Sequence, residues 1–312
     1  MKLSHGQAVW GMVAVTAMWS IAGVVTRQLE HARSFEVTFW RSFFTALSLL
    51  VILPVWQRSF AARAPGSSGV SGWQGWMLRN WGLTPGSHSL WYSGICWSVM
   101  FTAFMVALTL TSVANVLITL AIGPLLTALI ARIFIGHRLP ARTWMAIAVA
   151  GAGIAWMYGA QVELGQGAQQ IGMLVALCVP IAGATQWTIV QRCQARGERI
   201  DLVSSVLLGA VISSLATLPL AFPLAATRAD VAWLALLGLV QLAIPCVLSV
   251  ICARVLKAPE VALLALLEVI FGITLAWIGA NEAPGFTVLA GGALVIGALA
   301  VNELLGWRQR NV

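Results

Sequence analysis

Very few charged side chains interrupt the apolar stretches of this sequence, and one of them lies where a charge is costly. Glu268 is the eleventh residue of a 23-residue stretch, 258–280. A charge at the centre of a membrane helix costs roughly 2.5–3.5 kcal/mol on insertion scales, and a short carboxylate cannot reach the lipid headgroups from there. Glu268 must therefore face a wet cavity, accept hydrogen bonds or stay protonated. We predict that it faces a cavity and acts on solute or protons; a structural carboxyl hydrogen-bonded between helices is the alternative.

The other three charged residues of the apolar stretches lie nearer to the ends of those stretches. Arg41 and Arg132 carry long side chains that can extend to the headgroups. Glu260 follows Pro259, which places its carboxylate in the first turn of a helix, where the helix dipole favours a negative charge. We keep Arg41 as a candidate binding residue, with headgroup contact as the simpler interpretation.

Polar and aromatic residues inside the apolar stretches form a second set of candidates. An uncompensated amide is costly in lipid, so these amides should face the interior, where they bind solute or join helices by hydrogen bonds. Aromatic faces can bind organic cations or stack on aromatic solutes, although ordinary packing is the commoner role. The candidates of this set are Trp19, Ser20, Asn115, Gln186, Trp187, Gln241 and Trp277.

Motifs for the common catalytic chemistries are missing from the sequence. It contains no phosphate-binding glycine loop followed by Lys-Ser/Thr, no GxSxG, no HExxH and no DxD-type metal cluster. Its five cysteines form no CxxC pair and its four histidines are scattered, so neither a zinc site nor a disulfide framework is expected. We predict a protein that is not an enzyme and that carries no metal and no cofactor.

The elements that position the candidates are long apolar helices. Of the 312 residues, 60% are hydrophobic and only 9% are charged, whereas soluble domains average about 25% charged residues. A hydrocarbon layer about 30 Å thick requires about 20 apolar residues per helix. We predict an all-α polytopic membrane protein with ten transmembrane helices. The stretches are 8–26, 37–56, 89–110, 113–135, 143–160, 169–191, 202–222, 231–253, 258–280 and 285–302.

The formal charge of +8 is distributed unequally about these ten stretches. Thirteen Lys and Arg residues fall on the side of the two tails, and three fall on the other side. Because cytoplasmic loops carry the excess of basic residues, both termini are predicted to be cytoplasmic. The basicity therefore orients the chain in a lipid bilayer, and no nucleic-acid partner is expected.

The second half of the sequence resembles the first. Sliding residues 114–154 by 144 positions onto 258–298 requires no gap and aligns Pro140 with Pro284 after the turn. Five spans per half is an odd number, so the halves must insert in opposite orientations. Inverted repeats are a recurring architecture of secondary transporters, whose substrate site lies near the bilayer midplane between the halves. The predicted repeats are 1–160, which includes a flexible cytoplasmic loop at 57–88, and 161–312.

Three prolines and several glycines inside the stretches have predicted structural effects. Pro124, Pro180 and Pro245 should interrupt the fourth, sixth and eighth helices, because proline removes an intrahelical hydrogen bond. The glycines permit close helix contacts, either within the chain or at a homodimer interface. These glycines are Gly151, Gly153, Gly291, Gly292 and Gly297.

Short motifs in three regions match a known pattern. Trp19-Ser-Ile-Ala-Gly23 looks like a "WG/WS" opening, and Phe39-Trp40-Arg41 looks like an "R-F" element. The stretch from Leu266-Leu267-Glu268 to Asn281-Glu282, with the glycine-rich last span, is similar to "LEP…GE…GGxLI". Together they resemble the EamA-type transporters of the drug/metabolite transporter superfamily. Two departures from the pattern matter most: Val269 replaces a proline, and Gly136-His137-Arg138 replaces Gly-Glu-Arg.

The resemblance implies a secondary transporter of a small metabolite, amino-acid-like or drug-like solute. Such a protein would work by alternating access in a bacterial inner membrane, with export more usual than uptake. Glu268 would exchange a proton or pair with a cationic group of the solute. The missing first-half glutamate leaves open a second hypothesis, a transport-inactive scaffold or sensor that retains the fold.

Overall fold

The computed structural model describes residues 4–32, 34–61, 88–135, 140–163, 167–195, 203–252, 255–256 and 258–310. Within these ranges every regular element is helical. Most of the loop at 57–88 and all of Gly136-His137-Arg138 lie outside them, as does the side chain of Glu260.

The helices follow one another with short connections. In chain order they are α1 (His5–Thr26), α2 (Ser34–Ala61), α3 (His88–Leu110), α4 (Val113–Leu120), α5 (Gly123–Ile135), α6 (Ala141–Glu163), α7 (Gly167–Ala195), α8 (Val203–Ala221), α9 (Arg228–Leu236), a π-helical segment (Leu237–Ala243), α10 (Ile244–Cys252), α11 (Ala258–Ala280) and α12 (Phe286–Arg310).

The helices of the described part are apolar enough for a membrane protein. Seven helical stretches are long and apolar enough to cross a bilayer, and two shorter apolar stretches follow at Leu264–Ala280 and Phe286–Asn302. The all-helical membrane architecture is therefore confirmed. The number of ten spans and the cytoplasmic position of both tails stay predictions.

The three prolines have different effects on their helices. Pro124 follows the break between α4 and α5, because it has no N–H to donate to the carbonyl of Leu120. Pro245 follows the π-helical segment, in which the backbone N–H of Ile244 bonds to the carbonyl of Leu239, five residues back. Pro180 does not divide its helix, because α7 runs from Gly167 to Ala195 through that residue.

The main helix contacts join the first half of the chain to the second. α1 lies against α11 and α10, α2 against α8 and the π-helical segment, and α3 against α7 and α8. The remaining large contact is between α6 and α12. The apolar core is consequently shared by both halves.

Glycine determines how closely α6 and α12 approach. A Cβ at Gly153 of α6 would lie 2.9 Å from the carbonyl oxygen of Gly291 in α12. Only hydrogen fits at that distance, so Gly153 and Gly291 form a contact within the chain. Gly151 has no atom within 4 Å of a Cβ position and makes no comparable contact.

Candidate functional site

Arg41 lies in the interior of the bundle, not at the lipid headgroups. It projects from α2 and is only 1% exposed. Nη1 donates a hydrogen bond of 3.0 Å to Oε1 of Gln241, and Nη2 donates one of 2.7 Å to the backbone carbonyl of Phe101. The guanidinium carbon lies 5.9 and 5.8 Å from the ring centroids of Phe101 and Phe104. The headgroup interpretation is therefore wrong for Arg41.

Arg132 behaves as the sequence suggested. It is exposed near the end of α5, and its guanidinium carbon lies 5.2 Å from the ring centroid of Trp144. A long basic side chain that covers an exposed aromatic ring is typical of a helix end at a membrane surface. Arg132 is thus exposed at a helix end, whereas Arg41 is buried in the interior.

The π-helical segment positions the partner of Arg41. Gln241 lies in this segment and is 3% exposed, so it faces the interior as expected. Pro245, four residues later, cannot donate to the Gln241 carbonyl, and the local backbone widens to an i→i−5 pattern. Single π-helical turns are frequent at functional sites because they redirect side chains. The sequence thus determines the irregularity that presents the Gln241 amide to Arg41.

Cys246 lies near both Arg41 and Glu268 in the interior of the bundle. It is fully buried in α10 and lies close enough to Trp19, Arg41 and Glu268 for all three to act on its thiol. The sequence reasoning did not single out Cys246, since nothing in its neighbourhood distinguishes it from the other cysteines inside apolar stretches.

Glu268 has an unsatisfied carboxylate. It is half-buried in α11, and within the described residues its carboxylate accepts no hydrogen bond and has no ion-pair partner. The Ser20 hydroxyl of α1 donates a bond of 2.6 Å to the Thr16 carbonyl of its own helix and lies 3.2 Å from the backbone carbonyl of Glu268, so it does not bond to the carboxylate. A structural carboxyl would be hydrogen-bonded between helices, and these surroundings do not match that alternative.

Five residues therefore form what we call the interior polar cluster. Two come from the first half of the chain and three from the second. They are Trp19, Arg41, Gln241, Cys246 and Glu268.

The remaining candidates are not hydrogen-bonded to this cluster. Gln186 donates a bond of 2.7 Å to Ser93, whose hydroxyl bonds to Ser205 at 2.7 Å, and this chain joins α7, α3 and α8. Asn115 donates a bond of 2.9 Å to the Thr111 hydroxyl at the start of α4. These buried amides join helices or fix a helix end.

Two tryptophan candidates have different exposures. Trp187 is half-buried on α7 beside Gln186. Trp277 is 57% exposed on α11, so it faces outwards and lies apart from the interior polar cluster. Its expected role in solute binding does not fit that position.

A second polar arrangement lies at the end of the bundle where α1 ends and α2 begins. Glu282, which follows α11, accepts a bond of 2.7 Å from Nε of Arg27 and one of 2.6 Å from the backbone N–H of Val113. Arg27 also donates to the carbonyls of Leu108 and Thr111 at 2.7 and 2.8 Å. Glu282 thereby neutralises Arg27 and caps the start of α4.

Two further carboxylates at this end bind backbone N–H groups of the opposite half. Glu36 of α2 accepts bonds of 2.8–3.0 Å from Ala225 and Ala226. Asp230 of α9 accepts bonds of 3.0 and 3.2 Å from Glu30 and His31. We call Arg27, Glu36, Asp230 and Glu282 the end cluster. The sequence reasoning missed it because these residues lie at or beyond the ends of the predicted spans.

Asn281 explains how Glu282 reaches its partners. Its φ of 54° is left-handed, a conformation that glycine adopts freely and asparagine tolerates better than most residues. The chain reverses there at the end of α11, which turns Glu282 back towards α1 and α4. Asn281 therefore fits the position at which the motif pattern has glycine.

The two clusters have different chemical capacities. The interior polar cluster holds a buried cation and an unpaired carboxylate, so it can bind charged ends of a small solute and exchange a proton. The end cluster is saturated by its own hydrogen bonds. Within the described residues no group of three or more His, Cys, Asp and Glu side chains is placed to hold a metal ion.

Comparison with known proteins adds a family and a fold. The model of the EamA-like transporter family matches residues 7–159 and 170–303. A crystal structure of another protein is similar with a TM-score of 0.57 and 19% sequence identity, over 98% of this chain and 99% of that one. At this identity the likeness shows a shared fold alone. No curated protein matches the chain.

Proposed function

The chain belongs to the EamA-like transporter family, and from this we propose that it is a secondary transporter that moves a small solute by alternating access. The single observation that carries the proposal is the interior polar cluster, which is built from residues of both halves. A site between two repeats near the bilayer midplane is the arrangement that alternating access requires. Movement of one half against the other would expose such a site first to one side and then to the other.

The pairing of helices supports an inverted relation between the halves. α1 lies against α11, and its counterpart α7 lies against α4 and α5. The third and eighth spans correspond in the same way. α3, the third span, lies against α7, and α10, part of the eighth span, lies against α1. A two-fold axis in the membrane plane would relate each pair to the other, as the odd number of predicted spans per half requires.

Glu268 is the proposed charge-bearing residue of the carrier. Its carboxylate has no partner among the described residues, so it is free to exchange a proton or to bind a cationic group of the solute. In this proposal the protein resides in a bacterial inner membrane, with export as its direction. The proposed solute is an amino-acid-like metabolite or a drug-like compound.

Reconstitution tests the proposed function directly. Purified protein in lipid vesicles is incubated with a low-molecular-weight bacterial extract under a proton gradient, and the vesicle contents are identified by mass spectrometry. We expect selective accumulation of a few compounds relative to protein-free vesicles. Compounds that raise the melting temperature of the protein without accumulating would instead support the scaffold or sensor. Neither accumulation nor stabilisation by any compound would contradict both.

A further inference from the structure

Arg41 is a buried cation without an anion. Its two hydrogen bonds go to neutral oxygens, those of Gln241 and of the Phe101 carbonyl, and Nε has no acceptor. Two of the five N–H donors of the guanidinium are therefore used. Within the described residues no carboxylate lies within ion-pair distance of Arg41. Buried charges in proteins are normally paired, because removing an ion from water is expensive.

Two more buried N–H groups on α2 and α3 have no acceptor. The indole N–H groups of Trp40 and Trp97 are also shielded from solvent and have no acceptor. Trp40 precedes Arg41 on α2, and Trp97 lies one turn before Phe101 on α3, with ring centroids 5.5 Å apart. Buried N–H groups in native structures are almost always satisfied. The three donors lie on α2 and α3, which pack against each other, and Nε of Arg41 is the one that belongs to a buried charge.

The neighbouring acidic residues do not supply this acceptor. Glu36 lies on the same helix, but both of its carboxylate oxygens bind backbone N–H groups at the end of the bundle. Asp230 is occupied in the same way. Glu268 forms no ion pair with Arg41 among the described residues. The Phe101 and Phe104 rings attract the guanidinium, but ring faces compensate a buried charge only in part.

We infer that the transported solute carries an anionic group, a carboxylate, sulfonate or phosphate, and that Arg41 is the residue that binds it. This inference rests on the proposed transport function and names the chemical class of its solute. In the present conformation the guanidinium donates one hydrogen bond to the neutral amide oxygen of Gln241. When the π-helical segment moves away from α2, an oxyanion replaces the Gln241 amide and forms the charge-assisted, two-pronged contact for which a guanidinium is suited.

The experiment compares anionic solutes with neutral derivatives in the reconstituted full chain. Every compound that accumulates from the bacterial extract is classified by charge, and each carboxylate-bearing compound is tested again as its methyl ester. We expect all strongly accumulated compounds to bear an anionic group. Esterification should lower the initial rate of transport roughly tenfold or more, as removal of one partner of a buried charge pair does. Because this comparison uses the unaltered chain, it does not depend on the folding of any variant.

Variants then assign the effect to Arg41. Arg41→Gln should abolish the preference for the acid over the ester, and Arg41→Lys should retain part of it, because lysine keeps the charge but not the planar fork. Arg132→Gln is the matched control, since it removes a span arginine outside the cluster and should leave the preference unchanged.

Two results would overturn the inference. One is accumulation of neutral or purely cationic compounds as fast as anionic ones, which would leave the transport function intact. The other is an equal preference for the acid in wild type and Arg41→Gln, which would make Arg41 structural. Absence of accumulation of any compound would contradict the proposed transport function first, and this inference with it.

Discussion

At the scale of single residues, the two interior charges of the cluster have different surroundings. Arg41 is closed off from solvent and held by two neutral acceptors, whereas Glu268 is partly buried and its carboxylate has no described partner. Both lie near Cys246, and within the described residues no ion pair joins them. Because neither charge neutralises the other, each remains available to a solute or to a proton.

Replacement of Glu268 by glutamine tests its role in transport. The amide keeps the shape and hydrogen-bonding capacity of the side chain but cannot ionise. We expect Glu268→Gln to fold normally and to lose either the pH dependence of transport or most of its rate. The measurement is the initial rate in vesicles over a series of pH values, together with the melting temperature.

A purely binding carboxylate would give a different pattern for Glu268→Gln. Affinity for cationic solutes would fall, while counterflow of neutral solutes would continue. Trp277→Leu is the control on the same helix, because Trp277 faces outwards and its loss should not change the rate. A normal rate and a normal pH profile for Glu268→Gln would show that Glu268 is structural.

At the scale of helices, short irregular segments determine where the polar groups point. The π-helical segment presents Gln241 to Arg41, and the left-handed Asn281 turns Glu282 towards Arg27 and α4. Both irregularities arise from local chemistry, the missing N–H of Pro245 and the tolerance of asparagine for positive φ. The intervening helices supply rigid, apolar supports.

Loss of Glu282 should weaken the end cluster. Glu282→Ala leaves Arg27 without a counter-ion and the N–H of Val113 without an acceptor. We expect a loss of about 1–3 kcal/mol in the free energy of unfolding, measured by denaturant titration in detergent micelles. Glu30→Ala is the matched control, since the Glu30 carboxylate is 75% exposed at the same end. An equal effect of both substitutions would contradict the assigned role of Glu282.

Substitution of the helix-contact glycines tests the α6–α12 packing. Gly153→Val forces side-chain atoms against the backbone of Gly291, and overpacking of this kind typically costs about 1–3 kcal/mol. Gly151→Val adds the same atoms where no neighbour lies within 4 Å and should change the free energy of unfolding by less than about 0.5 kcal/mol.

Two outcomes would contradict this prediction, and one of them is read from the oligomeric state. If Gly151 lay at a homodimer interface, Gly151→Val would separate the subunits in size-exclusion chromatography. A folded Gly153→Val protein of unchanged stability would show that α6 and α12 do not depend on this contact.

At the scale of the whole molecule, the two halves are packed into each other and do not form separate bodies. α1, α2 and α3 each have their largest contacts with helices of the second half. The end cluster adds hydrogen bonds between the halves, from Glu36 to the segment before α9 and from Asp230 to the segment after α1. Opening of the bundle at this end requires these bonds to break.

The topology of the chain in the membrane can be measured by cysteine labelling. Single cysteines are introduced into a background in which the five native ones are replaced. We expect labels in the 57–88 loop to react only from the cytoplasm and labels in the 161–169 loop only from outside, because of the thirteen-to-three distribution of basic residues. Reaction of the 57–88 loop from outside would contradict the predicted orientation.

The sequence by itself determined the features that depend on position along a helix. The length and composition of the apolar stretches indicated a membrane protein. Pro245 interrupts its helix, and the central position of Glu268 in its stretch indicated a costly charge. These features are local, because hydropathy and missing N–H groups act on the chain within a few residues.

Only the tertiary structure decided which side of each helix faces inwards. The spans are apolar around their whole circumference, so no amphipathic pattern distinguishes the interior face from the lipid face. The sequence therefore did not show that Arg41 lies in the interior and that Trp277 lies at the surface. Arg27 and Glu282 are 255 positions apart in sequence, and only the packing of both halves brings them within 2.7 Å.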